Sequence, residues 1–151
     1  FNRDEAKLTV LGVPDRPGIA YQILGPIAES NTDVDMIIQN VGHDGSTDFS
    51  FTVNRAEFAK ARHILDQVKA HIGAREITGD SRIAKVSVVG VGMRSHVGIA
   101  SKMFRTLAEE GINIQMISTS EIKISVVIDE KYLELAVRVL HKAFELDQVP
   151  A

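Results

Sequence analysis

Cysteine is absent. That one absence removes disulfide frameworks, thiolate zinc sites, iron–sulfur clusters and cysteine nucleophiles together, and it is compatible with a reducing cytoplasm, the compartment expected here. No apolar run approaches the ~18 residues that suggest a membrane span, and no charged-then-apolar N-terminal stretch reads as a signal peptide. Positive charge is scarce as well: 17 Lys and Arg face 20 Asp and Glu, a net charge of −3. Residues 1–80 hold eight basic and twelve acidic residues (−4), and residues 81–151 hold nine and eight (+1). Neither half carries the basic surplus that neutralising phosphates requires, so neither nucleic acid nor membrane is expected as a partner.

Motifs for chemistry are also missing. Gly90-Val91-Gly92-Met93-Arg94-Ser95 begins like a dinucleotide fingerprint but ends in serine, and no Gly-Lys-Ser/Thr phosphate loop occurs. Those glycines serve a strand-to-helix turn. Histidines 43, 63, 71, 96 and 141 show no i, i+3 or i+4 pairing, so no metal site is expected. His63, His71 and His141 fall among charges on helix faces and read as surface residues. No Ser/His/Asp arrangement can be nominated, and no catalytic residue is assigned.

What is present is globular. The chain has 151 residues, 44% hydrophobic and 25% charged, enough for one domain or two small ones. At this size roughly 68–70% of the unfolded surface can be buried. It begins with Phe1 rather than Met, as a piece of a longer protein would.

The chain is written twice. Lys7–Val13 (KLTVLGV) returns as Lys85–Val91 (KVSVVGV), an offset of 78. Gly18-Ile19-Ala20 returns as Gly98-Ile99-Ala100, and Asp33–Ile37 as Asn113–Ile117, both at an offset of 80. Phe49–Val53 then falls on Ile124–Ile128. Four matching segments in one order are a duplication, the kind of repeat that decides a fold reading.

Each copy has the same elements. Lys7–Val13 and Lys85–Val91 are β-branched apolar runs ended by turn residues, hence buried strands. Ala20, Ile23, Leu24, Ile27 and Ala28 form one helix stripe, repeated by Ala100, Met103, Phe104, Leu107 and Ala108. Pro26 contradicts the first helix and predicts a kink or an early end. Val34, Met36 and Ile38 alternate with Asp33, Asp35 and Gln39, a strand with one buried face. His43–Ser46 is a turn, and Asp48–Val53 returns as the second hairpin strand. In copy two Ile112–Ser120 and Lys123–Ile128 join more tightly. A second helix follows, on Phe58, Ala61, Leu65 and Val68, and on Leu133, Ala136, Leu140 and Phe144. Unit one closes with a strand near Ala74–Thr78. The order is the ferredoxin-like split β-α-β-β-α-β, an α+β fold in tandem. Unit two has no last strand, which leaves an edge for residues upstream of Lys7, or a partner chain, to cover. The expected domains are 6–79, and 82–146 completed by residues 1–5.

The first loop–helix junction draws attention. In Val13-Pro14-Asp15-Arg16-Pro17-Gly18-Ile19-Ala20, Asp15 reads as an N-cap and Pro17 as first-turn residue; Ser95 takes the equivalent place in copy two. A helix N-terminus offers N–H groups to a carboxylate, and Gly18 and Gly98 keep a side chain out of that approach. Asp33, Asp35 and Gln39, or Asn113, Gln115 and Ser120, place polar groups on the adjacent strand. A small zwitterion needs an anion-binding patch and an acceptor for its ammonium. An ordinary capped helix and a half-exposed strand account for the features taken singly.

Taken together, these residues resemble a known family. Leu11–Gly18, Met36–Val41 and Thr47–Thr52 look like the first ACT domain of aspartate kinase. Lys85–Gly98, with its Gly-Met-Arg-Ser-His loop, and Ile117–Ser125, with Ser118-Thr119-Ser120-Glu121-Ile122, look like the second. The resemblance runs from about Phe1 to Phe144. It implies tandem, interlocked ACT domains that bind end-product amino acids, threonine or lysine or both, and inhibit a kinase that phosphorylates aspartate with ATP. It also implies a homodimer through the ACT domains, and a kinase domain or separate α subunit as partner. That kinase domain would hold ATP and magnesium; its lysine-rich N-terminal signature is absent from this chain. The implied effector contacts, formed between units of two chains, are Asp15, Gly18, Ile19, Ala20, Asp33, Val34 and Gln39 in unit one. In unit two they are Ile99, Ala100, Asn113, Ile114 and Ser120. Asp33 stands where the family usually has asparagine, while Asn113 keeps it. Two other readings share the fold: an RNA-recognition module, with Phe49 and Phe51 as stacking aromatics, and a stand-alone metabolic enzyme.

Overall fold

The computed structural model describes the backbone of residues 1–89 and 96–148, with side chains over 1–89 and 98–144. The Gly90–Ser95 turn, and with it the cap expected at Ser95, lies outside the described residues. The chain divides into two compact units, one of Asp4–Ser81 and one of Phe1–Arg3 with Arg82–Ala151.

The first unit is built from β1 (Asn2–Pro14, from Asp4 on), α1 (Ile19–Glu29), β2 (Val34–Val41), β3 (Ser46–Asn54), α2 (Phe58–Ile72) and the first part of β4 (Glu76–Val89). Its strands lie in the order β2-β3-β1-β4. Leu8 and Val10 of β1, Phe49, Phe51 and Val53 of β3, Ile23 and Ile27 of α1, and Leu65 and Ile72 of α2 make one core. Period-two apolar faces on the strands meet period-3.6 stripes on the helices, which is why this order folds into a sheet with helices on one face. Phe49 and Phe51 are core residues, 2% and 0% exposed. That removes the stacking platform an RNA reading needs.

The second unit places β4 (from Arg82), β6 (Lys123–Asp129) and β5 (Met116–Thr119) in one sheet, with α3 (His96–Glu109) and α4 (Leu133–Gln148). Met103 and Leu107, Ile124, Val126 and Ile128, and Leu133, Ala136 and Leu140 form its core. The strand beside β4 there is the start of β1, since Phe1–Arg3 fall in this unit.

Several expectations are corrected. The strands expected at Ala74–Thr78 and Lys85–Val91 are one continuous strand, β4. Gly79 lets that strand pass the first core: a Cβ there would sit 2.6 Å from the Phe58 ring. Helix α1 runs three residues past Pro26, to Glu29, the place that corresponds to the end of α3, so the early end does not occur. Proline deletes one backbone bond, to the Gln22 carbonyl, but Ile23 and Ile27, both fully buried, anchor the helix on either side. The α1 stripe is Ile19, Ile23 and Ile27; Ala20 and Ala28 are exposed. Strand β5 covers only Met116–Thr119 of the expected Ile112–Ser120.

The largest correction concerns β2. Its pairing with β3 shifts between Val34 and Ile37. Val34 opposes Val53, but Ile37 then opposes Phe51 and Gln39 opposes Phe49. Directly opposed residues share a face, so Ile37, Gln39 and Val41 lie on the helix side. Met36 lies on the other side, where its N–H donates to Thr52 Oγ1 at 3.0 Å. A single extra residue turns over every side chain beyond it.

Candidate functional site

Strand β1 bends before it enters the loop. Val10 opposes Phe49 and Val13 opposes Thr47, so β1 carries one residue more than β3 between them. Gly12 takes the left-handed conformation (φ 69°). Its N–H donates to Asp48 Oδ1 at 2.8 Å, and Leu11 accepts from the Arg75 N–H at 2.9 Å. A Cβ on Gly12 would meet Arg75 Cβ at 2.9 Å, so glycine is required by space as well as by φ. This bulge sets the direction of Pro14–Gly18.

Asp15 is not the N-cap. Arg16-Pro17-Gly18-Ile19 is a tight turn closed by the Ile19 N–H on the Arg16 carbonyl at 3.2 Å. Proline then glycine at its centre, with Gly18 at φ 87°, is the type II pattern. Gly18 becomes the cap, and its carbonyl accepts the Gln22 N–H at 3.0 Å. No side chain caps the helix, so its first-turn N–H groups are not spent on Asp15, and nothing lies within 4 Å of where a Gly18 Cβ would be. The Asp15 N–H instead donates to the Gly45 carbonyl at 2.9 Å, tying the loop to the β2–β3 turn. In that turn hydrogen bonds from Ser46 Oγ and the Ser46 N–H hold the exposed Asp44 carboxyl below its ordinary value.

Gln39 belongs to the same end of the unit. It opposes Phe49, which opposes Val10, and its Nε2 donates to Thr47 Oγ1 at 3.2 Å. Ala20 is exposed in the first turn of α1, whereas Ile19 is buried and can offer a ligand only backbone. Ile37 and Val41 flank Gln39 and are 53% and 63% exposed. Asp15, Gly18, Ala20 and Gln39 therefore lie toward the same end of the unit.

Asp33 and Val34 lie apart from them. Val34 opens β2, five residues from Gln39, which is about 17 Å of strand, and Asp33 comes just before it. Within one unit the expected contact residues thus fall at two separated places: a loop end, and a strand-start end carrying Asp33 and Val34. The second unit repeats the separation. Ile99 and Ala100 are half-buried near the start of α3, while exposed Asn113 and half-buried Ile114 lie past its end. Ser120 falls just beyond β5, in a turn where its N–H donates to the Lys123 carbonyl at 2.7 Å. The residue in Gln39's register is its neighbour Thr119: Gln39 opposes Phe49, Thr119 opposes Ile124, and Phe49 and Ile124 are repeat equivalents. Counting the repeat at an offset of 80 also leads to Thr119. Asp48, Thr47 and Gly45 are the residues that sequence reasoning missed, because each acts through a bond to another strand.

ACT-domain family models match residues 7–73 and 86–144. An aspartokinase of Pseudomonas aeruginosa is 70% identical over 147 residues, which is 97% of this chain and 36% of that protein. The chain spans about a third of the length of the curated relatives it matches. Among solved structures, a chain of the aspartokinase alpha and beta subunits is 63% identical, with a TM-score of 0.90 and 95% of each chain covered. The ligand-free regulatory subunit of aspartate kinase from Thermus thermophilus is 43% identical, with a TM-score of 0.88, covering 95% of this chain and 94% of that one.

Proposed function

The chain belongs to the aspartate kinase family as its paired ACT-domain regulatory part, and on that premise we propose that it senses end-product amino acids for feedback inhibition. The effectors are threonine, lysine or both. The kinase that answers to them resides in the catalytic domain of a longer chain or in a separate α subunit. ATP and magnesium act there, on the β-carboxylate of aspartate.

The observation that carries the reading is the uncapped N-terminus of α1 at an open glycine, at the same end of the unit as Gln39. Free N–H groups and the positive helix end suit an α-carboxylate. Side-chain oxygens of Gln39 and Asp15 suit an ammonium or hydroxyl. The separation of the half-sites supports the two-chain arrangement. Asp33 and Val34 are too far from Gly18 to share a free amino acid with it in one unit, and in this reading a second ACT unit running the opposite way supplies the other half. In the second unit Ile99, Ala100, Asn113, Ile114 and Thr119 or Ser120 hold the corresponding places.

Thermal unfolding with and without each amino acid tests this. A ligand that binds only the folded form stabilises by about 2.7 kcal/mol at a hundredfold excess over Kd. A rise in Tm with millimolar threonine or lysine is expected; no shift with either would refute the effector reading.

A further inference from the structure

Thr47 is 1% exposed, and its hydroxyl stands between two groups. It donates to the Asn40 carbonyl at 3.0 Å and accepts from Gln39 Nε2 at 3.2 Å. A hydroxyl has one proton, and a backbone carbonyl can only accept. The proton is therefore committed to Asn40, and toward Gln39 the oxygen can only accept. That fixes which way the Gln39 amide faces, an assignment that follows from the network itself. The NH2 turns to Thr47, and Oε1, without a partner among the described residues, is left for the exposed surface. We infer that Thr47 is a positioning residue of the first unit's effector site: it holds Gln39 so that the site presents a fixed hydrogen-bond acceptor. The ligand read there is an α-amino acid that brings an ammonium or hydroxyl donor to that point. This rests on the effector reading of Gln39.

Among its described residues the second unit has no such device. Thr119 takes Gln39's register, and the short Ser120–Lys123 turn brings no counterpart of Thr47. A threonine hydroxyl both donates and accepts. The two units therefore differ in chemistry: the first is committed to a donor, and the second is not.

Titration calorimetry on the chain, with whichever of threonine and lysine binds the parent, tests the inference. Gln39→Ala removes the acceptor and should lose about tenfold. Thr47→Ser keeps the relay and should match the parent. Thr47→Val should weaken binding by about fivefold to tenfold, and should add nothing in a Gln39→Ala background, because its effect runs through Gln39. Thermal melts identify any variant that fails to fold, and Thr47→Ala, which removes the hydroxyl and adds no bulk, repeats the test if Thr47→Val is one of them. With threonine as ligand, valine separates the two donors: dependence on Thr47 that persists with valine assigns the ammonium, and dependence that vanishes assigns the hydroxyl. The inference is overturned if Thr47→Val binds like the parent or adds fully to Gln39→Ala. A parent that binds neither amino acid defeats the effector reading itself, which is a different result.

Discussion

At the scale of single residues, the site depends on backbone conformation as much as on functional groups. Gly18 has open space around it but a φ of 87°. Gly18→Val should therefore destabilise by about 1–2 kcal/mol through the left-handed backbone alone, and should also obstruct a carboxylate at the helix end; denaturant titration and calorimetry separate the two effects. Asp15→Ala gives the opposite pattern. Since Asp15 caps nothing, its loss should leave stability within about 0.5 kcal/mol while reducing ligand affinity. A fall in Tm as large as a lost cap would contradict the geometry. Lys7 is a pH probe. Burial pushes its ammonium below the ordinary value near 10.5, against the pull of the Asp80 carboxylate. Between the lowered folded value and 10.5 the unfolded chain binds more protons, so this group's contribution to stability rises with pH through that window. Lys7→Met should flatten the rise, as followed by urea melts at increasing alkaline pH.

At the scale of elements, two tolerated irregularities mark where packing overrides local preference. Helix α1 keeps Pro26 because buried isoleucines flank it. Pro26→Ala restores a donor for the Gln22 carbonyl and should stabilise by about 1–2 kcal/mol, less than the full helix-interior penalty because proline also restrains the unfolded chain. Strand β4 keeps Gly79 because the Phe58 ring occupies the place of a side chain. Gly79→Ala should cost about 1–3 kcal/mol by overpacking. Adding Phe58→Leu should return part of that loss, a non-additive pair visible in a double-mutant cycle.

At the scale of the whole molecule, the proposed site, split between two ends of a unit, calls for assembly. The chain should sediment as a dimer at micromolar concentration, with threonine or lysine shifting the equilibrium further toward it. A monomer under all these conditions would contradict the two-chain site. The open helix-side shelf of β2, with Ile37 and Val41 more than half exposed, is the surface such pairing should cover; Ile37→Lys is expected to weaken the dimer without unfolding the chain.

The sequence by itself determined the duplication, the order of elements in each copy and most of both cores. Those properties are written locally: period-two runs such as Leu8 and Val10, and 3.6-period stripes such as Leu133, Ala136 and Leu140, need only their own neighbours to be read. It also located the glycine turn. Tertiary structure decided what depends on a partner strand. The one-residue shift in β2 put Gln39 on the helix side, and nothing in the alternation of Val34, Met36 and Ile38 marks it. Thr119 took Gln39's place because register is fixed by pairing with β6, not by position in the loop. Asp48 on Gly12, Gly45 on Asp15 and Thr47 on Gln39 are bonds between segments brought together only when the sheet forms. Hydrophobic pattern is a property of a segment, whereas register and hydrogen-bond partner belong to a pair of segments, and the second of each pair is chosen by folding.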